Sequence, residues 1–220
     1  MLTPFDWQEG IGNRAQYVES RLEQGAPILA LSTDAGLIVF TYRRGTSKIF
    51  EIYDRIVFSA IGQQSDVEAI RIAAVEFAHR EGFSRSEDDV TISRLVSAVS
   101  SPIKQAFGSF NSSPLVARSL FAELGETVAD DKFYVVDYDG DYRQAEGGAI
   151  VVGSGDPEDE RLLAIDRSAS VEQIVSEMHE IWKTIAGGED EEDRTSGLTP
   201  EALILDRKTD RENVFRVLSV

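Results

Sequence analysis

The chain contains no cysteine. This absence excludes disulfide bonds, a thiolate nucleophile and any metal site built on cysteine. Histidine is scarce as well, because His79 and His179 are the only two. They fall on separate predicted helices, whereas a histidine metal site typically pairs its ligands on one helix face. We therefore expect a protein that holds no metal ion and no other cofactor.

Long apolar runs are also missing. No run approaches the ~20 residues that a membrane-spanning helix needs. The first residues, from Met1 to Glu9, have neither the basic start nor the apolar core of a secretory signal peptide. The sequence therefore predicts a soluble, cytoplasmic protein that does not contact a membrane.

Basic residues are few relative to acidic ones. The chain has 22 Lys and Arg against 39 Asp and Glu, and its net charge is −17. Such a field repels phosphate backbones, and Arg43-Arg44 is a pair and not a basic patch, so we expect no nucleic-acid binding. The hydrophobic content of 42% and charged content of 28% are typical of a globular chain. A length of 220 residues suits one domain, 1–220.

Helical and strand patterns alternate along the chain. Apolar residues recur at helical spacing in four segments, and shorter β-type runs lie between these segments. The grouping predicts an α+β fold, a four-layer αββα sandwich with two antiparallel sheets between helix layers. The predicted helices cover 13–25, 65–82, about 86–107 and 170–187; the predicted strands cover 28–32, 37–42, two runs within 47–62, 115–124, 132–138, 142–145, 149–152, 202–205 and 214–218.

Local signals give four further expectations. Residues 1–12 contain Gly10 and Gly12 and are predicted to form an irregular arm, with Asn13 capping the helix of 13–25. Ser65 and Glu68 have the spacing of a capping box, and Ser170 with Gln173 opens a later helix. Pro102 is expected to kink or end its helix.

The most specific motif lies between Ser47 and Leu95. It reads Lys48-Ile49-x-Glu51-Ile52-Tyr53-Asp54-Arg55, then Ala60-x-Gly62, Arg80-x-Gly82 and Asp89-Val90-Thr91. Together with the order of elements from about Pro4 to Leu218, it resembles an α-type subunit of a bacterial proteasome. These subunits belong to the N-terminal-nucleophile hydrolase superfamily, so the resemblance implies the same αββα fold.

The resemblance also implies a subunit that cuts nothing. Catalytic β-type relatives begin their first strand with a threonine whose free amine is the base. In these relatives the first two strands form a hairpin. When the predicted hairpin of this chain, residues 27–42, is aligned with it without gaps, Ala26 falls at the threonine position and Tyr42 at the position of the supporting aspartate. Lys48 aligns with the active-site lysine, Gly153-Ser154-Gly155 with a nearby turn and Asp193 to Gly197 with a supporting motif. We interpret these three as inherited scaffold.

Two sites of α-type subunits carry over to this sequence. Lys48 is expected to pair with the C-terminal carboxylate of an ATPase activator, in a pocket between neighbouring subunits that Gly25 and Gly62 shape. The alternative is a surface lysine in a solvated turn. The arm of 1–12 is expected to gate the axial pore, or to pack on the ring face, through the residues Thr3, Pro4, Phe5, Asp6 and Trp7.

The resemblance therefore predicts a non-catalytic outer-ring subunit. Its expected partners are other copies of itself in a heptameric ring, catalytic β subunits, an AAA+ ATPase activator and unfolded polypeptide substrate. One alternative is a self-processing threonine or serine peptidase that uses Ser32, Thr33 or Thr3 as a displaced nucleophile. Another is a proteasome-like homo-oligomer with a binding role.

Overall fold

A computed structural model describes residues 4–155, 160–187, 195–211 and 213–220. The helices are α1 (Pro4–Leu22), α2 (Gln64–Ser84), α3 (Ile92–Gly108), α4 (Glu160–Leu163) and α5 (Val171–Ala186), with 3₁₀ turns at Glu87–Asp89 and Val128–Asp130. The strands are β1 (Ile28–Ser32), β2 (Gly36–Arg43), β3 (Ile49–Tyr53), β4 (Ile56–Gly62), β5 (Ala117–Glu123), β6 (Lys132–Val136), β7 (Tyr142–Ala145), β8 (Gly148–Val151), β9 (Thr199–Asp206) and β10 (Phe215–Leu218).

The strands of this part of the chain form two antiparallel sheets. One has the order β10-β9-β2-β1-β8, and the other has the order β3-β4-β5-β6-β7. In the first sheet, β1 pairs with β2 so that Ile28 faces Thr41. In the second, β3 pairs with β4 so that Ile49 faces Ser59. The β1–β2 and β3–β4 hairpins are therefore formed as the sequence predicts.

Three buried clusters separate four layers. The first lies between the sheets and receives Val18 and Leu22 from α1. The second lies between α2, α3 and the β3–β7 sheet, and the third lies between α4, α5 and the other sheet. The predicted αββα sandwich is confirmed.

The central strand β2 is buried on both faces, which explains why residues 37–40 are all apolar. Leu37 and Val39 point into the cluster between the sheets, whereas Ile38 and Phe40 point into the cluster beneath α5. Successive side chains of a strand face opposite sides, so a strand covered on both faces needs apolar residues at every position.

The predicted irregular arm is wrong for residues 4–12, because α1 begins at Pro4 and continues past Asn13 to Leu22. The ring of Phe110 packs directly against the helix at Gly10, where a side chain would be in the way. A Cβ at Gly10 would stand 2.7 Å from Phe110 Cε1. Trp7 packs edge-on against the same ring, with 4.9 Å between centroids, and Arg14 lies over it at 5.5 Å. Tertiary contacts thus outweigh the low helix propensity of glycine.

Two helix-boundary predictions are also wrong. Gln63 precedes α2 without a side-chain cap, because Ser65 contacts Asp66 and Glu68 pairs with Arg71 instead. Helix α3 begins at Ile92, after a 3₁₀ turn, and not near residue 86 or 88 as predicted. By contrast, Ser170 caps α5 by accepting a hydrogen bond from the Gln173 amide, as predicted.

Helix α3 continues through Pro102 to Gly108, so the proline does not end it. The helix presents a strongly apolar face that includes Leu95, Val99 and Ile103, all buried against the second sheet. This burial offsets the interior-proline cost of about 3 kcal/mol.

Among the described residues, no helix is both long and apolar enough to cross a membrane.

Candidate functional site

Lys48 lies just before β3, and its side chain reaches across to the other sheet. Its amine donates a hydrogen bond to the carbonyl oxygen of Ala26 at 3.0 Å and a longer one to the Thr41 hydroxyl at 3.4 Å. Thr41 in turn donates to the Pro27 carbonyl at 2.7 Å, which orients its oxygen as an acceptor. The amine is therefore held at the junction between the start of β1 and the end of β2.

The surroundings of Lys48 lower the basicity of its amine. Burial lowers the pKa of Lys48 from its ordinary 10.5 to about 8, and the Glu201 carboxylate opposes this by raising it. Burial disfavours a charged amine, whereas a nearby carboxylate favours it. At neutral pH the amine is mostly an ammonium ion with three N–H donors, and two of these donate to groups of the described residues.

Glu201 of β9 fixes the backbone around Lys48. Its carboxylate accepts a hydrogen bond from the Lys48 backbone amide at 2.9 Å and another from the Ser47 hydroxyl. Glu201 lies opposite Thr41 in the β2–β9 ladder, so the two side chains share a face of the sheet. No local signal in the sequence points to Glu201, because it lies 153 residues after Lys48.

Gly25 and Gly62 lie close to this junction. Gly25 precedes Ala26, and a Cβ there would stand 2.8 Å from the Cβ of Ile61. Gly62 has φ +135°, and a Cβ there would stand 2.1 Å from the Val116 carbonyl oxygen. The structure thus places the glycines side by side at the end of β4, with Gly25 one residue from the carbonyl that holds Lys48. Only glycine fits the Gly62 backbone conformation.

The alignment of Tyr42 with the supporting aspartate stays a prediction, and the Tyr42 side chain faces away from the Lys48 amine. The β2 side chain that contacts the Lys48 amine is that of Thr41, not that of Tyr42. The Tyr42 hydroxyl bonds His179 Nε2 at 2.6 Å, and its ring stacks on Trp182 with 4.1 Å between centroids. Adjacent strand residues face opposite sides, so a slip of one residue moves a side chain to the other face of the sheet.

The alternative nucleophiles within the described chain are buried. Ser32 and Thr33 have no exposed surface. Ser32 donates to Asp131, and Thr33 donates to the Gly36 carbonyl at 2.7 Å. Neither hydroxyl is next to a free amine, which this chemistry needs as a base. Thr3 lies outside the described residues.

Of the two other motifs interpreted as scaffold, the turn that begins at Gly153 has a clear structural contact. A Cβ at Gly153 would stand 1.9 Å from the Leu22 carbonyl oxygen, so this glycine permits the close packing of the turn against the end of α1. Asp193 and Arg194 lie outside the described residues.

The predicted gate residues are only partly described: Pro4 and Phe5 lie in the first turn of α1, Trp7 packs on Phe110, and Thr3 is outside the described part.

Comparisons with known proteins bear on this arrangement. A family model described as "Proteasome subunit" matches residues 22–185. The chain belongs to the proteasome subunit family. Its relatives include the "Proteasome subunit alpha" of Jonesia denitrificans, 29% identical over 218 residues, which are 96% of this chain and 90% of that protein.

Two further relatives carry the same description. That of Xylanimonas cellulosilytica is 32% identical over 152 residues, 68% of this chain and 62% of that protein. That of Streptomyces scabiei is 30% identical over 160 residues, 71% of this chain and 64% of that protein. These two matches span slightly less than two thirds of the relatives' own length. The chain is an α-type subunit of a bacterial proteasome, the non-catalytic class, and this family assembles into rings with β subunits.

Proposed function

We propose that this α-type subunit receives the C-terminal carboxylate of an AAA+ ATPase activator at Lys48 and gates the entry of unfolded polypeptide into a cytoplasmic particle. Seven copies would form the outer ring, stacked on catalytic β subunits. The observation that carries the docking role is the state of the Lys48 amine. Lys48 is half-buried and its amine is fixed by Ala26 and Thr41, and these two hydrogen bonds are the ones that the described residues make with its three N–H donors.

The geometry suits a carboxylate. A charge-assisted hydrogen bond between an ammonium and a carboxylate is about twice as strong as a neutral one. Because the amine is already ordered, a ligand does not have to immobilise a flexible side chain. Gly25 and Gly62 are only partly covered in the single chain, so their backbone can be reached by an incoming peptide end.

The gating role is assigned to the first turns of α1. Trp7 and Phe110 form an aromatic pair in which each side chain keeps more than a third of its surface exposed, 46% and 39%. An exposed pair of this kind anchors the start of α1 to the segment after α3. Release of Trp7 from Phe110 would free the residues before it, which is the movement that a gate requires.

A binding measurement tests the docking role. The full chain is assembled with its β partner, and the particle is titrated with a synthetic peptide that ends in a free carboxylate and, separately, with its C-terminally amidated form. Wild-type particles should bind the free acid more tightly. Lys48→Ala should remove that difference, a loss of about 2 kcal/mol or more.

Two matched variants complete the experiment. Lys48→Arg retains the charge and should keep part of the preference for the free acid. Glu180→Gln removes an exposed carboxylate that pairs with Lys183 on α5 and should behave as wild type. Equal binding of both peptides by wild-type particles would reject the docking role.

A further inference from the structure

Among the described residues, Glu201 is the charged residue whose electrostatic interaction raises the pKa of Lys48. It comes from β9, the strand next to β2 in the first sheet. The other groups that surround the Lys48 amine are neutral: the Ala26 carbonyl before β1 and the Thr41 hydroxyl of β2. The neighbouring cation Arg43 donates to the Gly45 carbonyl within its own loop.

The two oxygens of Glu201 have separate partners. Oε2 accepts the Lys48 backbone amide at 2.9 Å, and Oε1 accepts the Ser47 hydroxyl. Ser47 and Lys48 connect β2 to β3 and have no sheet pairing of their own. The carboxylate therefore fastens this connection to β9, and its negative charge raises the pKa of the Lys48 amine, which burial lowers.

We propose that Glu201 is a positioning residue of the docking site, which fixes the Ser47–Lys48 backbone and keeps the Lys48 amine protonated for an incoming peptide carboxylate. The inference rests on the proposed docking function for its biological meaning. The charge effect itself is a property of the free subunit, so the two ideas can fail separately.

The first test needs no ligand. The full chain is labelled with ¹³C-lysine, and the Cε chemical shifts are followed from pH 6 to pH 11, about the range over which lysines in proteins titrate. The Lys48 signal is assigned by its loss in Lys48→Arg. In wild type its titration midpoint is expected at about 8.

The Glu201 variants separate charge from hydrogen bonding. Glu201→Gln keeps an oxygen for the Lys48 amide and is expected to lower the midpoint, because the favourable charge is gone. Glu201→Asp keeps the charge and is expected to lie closer to wild type. The exposed control Glu180→Gln should leave the midpoint unchanged. An unchanged midpoint in Glu201→Gln, in a protein whose circular dichroism and melting show a folded state, would overturn the proposal.

The second test uses the assembled particle and the free-acid peptide. Above the Lys48 midpoint, affinity is expected to fall about tenfold for each pH unit. In Glu201→Gln this fall should begin at lower pH, whereas a purely structural role would weaken binding equally at every pH. If Lys48→Ala has no effect on peptide binding, the docking function fails, and the NMR midpoint still decides the role of Glu201.

Discussion

The side-chain amine of Lys48 lies 3.0 Å from the carbonyl oxygen of Ala26, and a hydrogen bond joins them. A catalytic relative needs a threonine and a free amine at this junction, and here an alanine within a continuous chain takes that place. The lysine therefore has a backbone carbonyl as its partner and no nucleophile to activate. The same geometry holds the Lys48 amine in an ordered position.

The pH dependence of stability tests the altered basicity of Lys48. Its pKa of about 8 in the folded state lies below the ordinary 10.5. Between these values the unfolded chain binds more protons, so this group's contribution to stability rises with pH from about 8 to about 10.5. Lys48→Met lacks this contribution. Urea midpoints measured across this range should therefore rise in wild type relative to Lys48→Met; parallel curves would contradict the lowered pKa.

The contact between Gly10 and Phe110 predicts opposite effects for two neighbouring glycines. A Cβ at Gly10 would clash with the Phe110 ring, whereas nothing lies within 4 Å of a Cβ at Gly12. Gly12→Ala should stabilise the protein by about 0.5–1 kcal/mol through higher helix propensity. Gly10→Ala should gain the same propensity but lose about 1–3 kcal/mol to overpacking. Urea denaturation of both variants checks this, and equal stabilisation by both would contradict the α1–Phe110 packing.

Gly62 should tolerate no side chain. Gly62→Ala combines a φ of +135° with an approach of 2.1 Å to the Val116 carbonyl oxygen. We expect a destabilisation of about 3 kcal/mol or more. Gly45 is the matched control, because it also has a positive φ of +79° but open space around its Cβ position. Gly45→Ala should cost only about 1 kcal/mol, and thermal melts of the two variants compare them directly.

A buried ion pair fastens the end of the sandwich away from Lys48. Arg207 Nη2 lies 2.7 Å from Asp131 Oδ2, and the Asp131 side chain is fully buried. Arg207→Ala leaves that carboxylate without its charged partner and should destabilise the protein by about 3–5 kcal/mol. Arg216→Ala breaks an exposed pair with Asp206 and should cost at most about 1 kcal/mol. Similar effects of the two variants in chemical denaturation would rule out the assigned importance of the buried pair.

The sequence predicts the fold well where the signal is local. β1 spans Ile28–Ser32, as its apolar run indicates, β7 spans Tyr142–Ala145, as the preceding Asp139-Gly140 turn indicates, and the Ser170 cap of α5 is present. These features depend on periodicity and turn chemistry within a few residues of each position.

The failures have non-local causes. Gly10 and Gly12 indicate an irregular arm until Phe110, about 100 residues later, fills the space beside Gly10. Glu201 has no motif of its own and becomes part of the site only because β9 pairs with β2. The contact between Thr41 and the Lys48 amine has no local signal either, because it depends on which face of the sheet each β2 residue occupies.

The docking of a peptide carboxylate at Lys48 is tested most directly by electron microscopy of the full chain assembled with its β partner and saturated with the free-acid peptide. We expect a ring of this subunit on the β ring, with the terminal carboxylate at about 2.7–2.9 Å from the Lys48 amine. A peptide end bound elsewhere, with Lys48 still bonded only to Ala26 and Thr41, would contradict it.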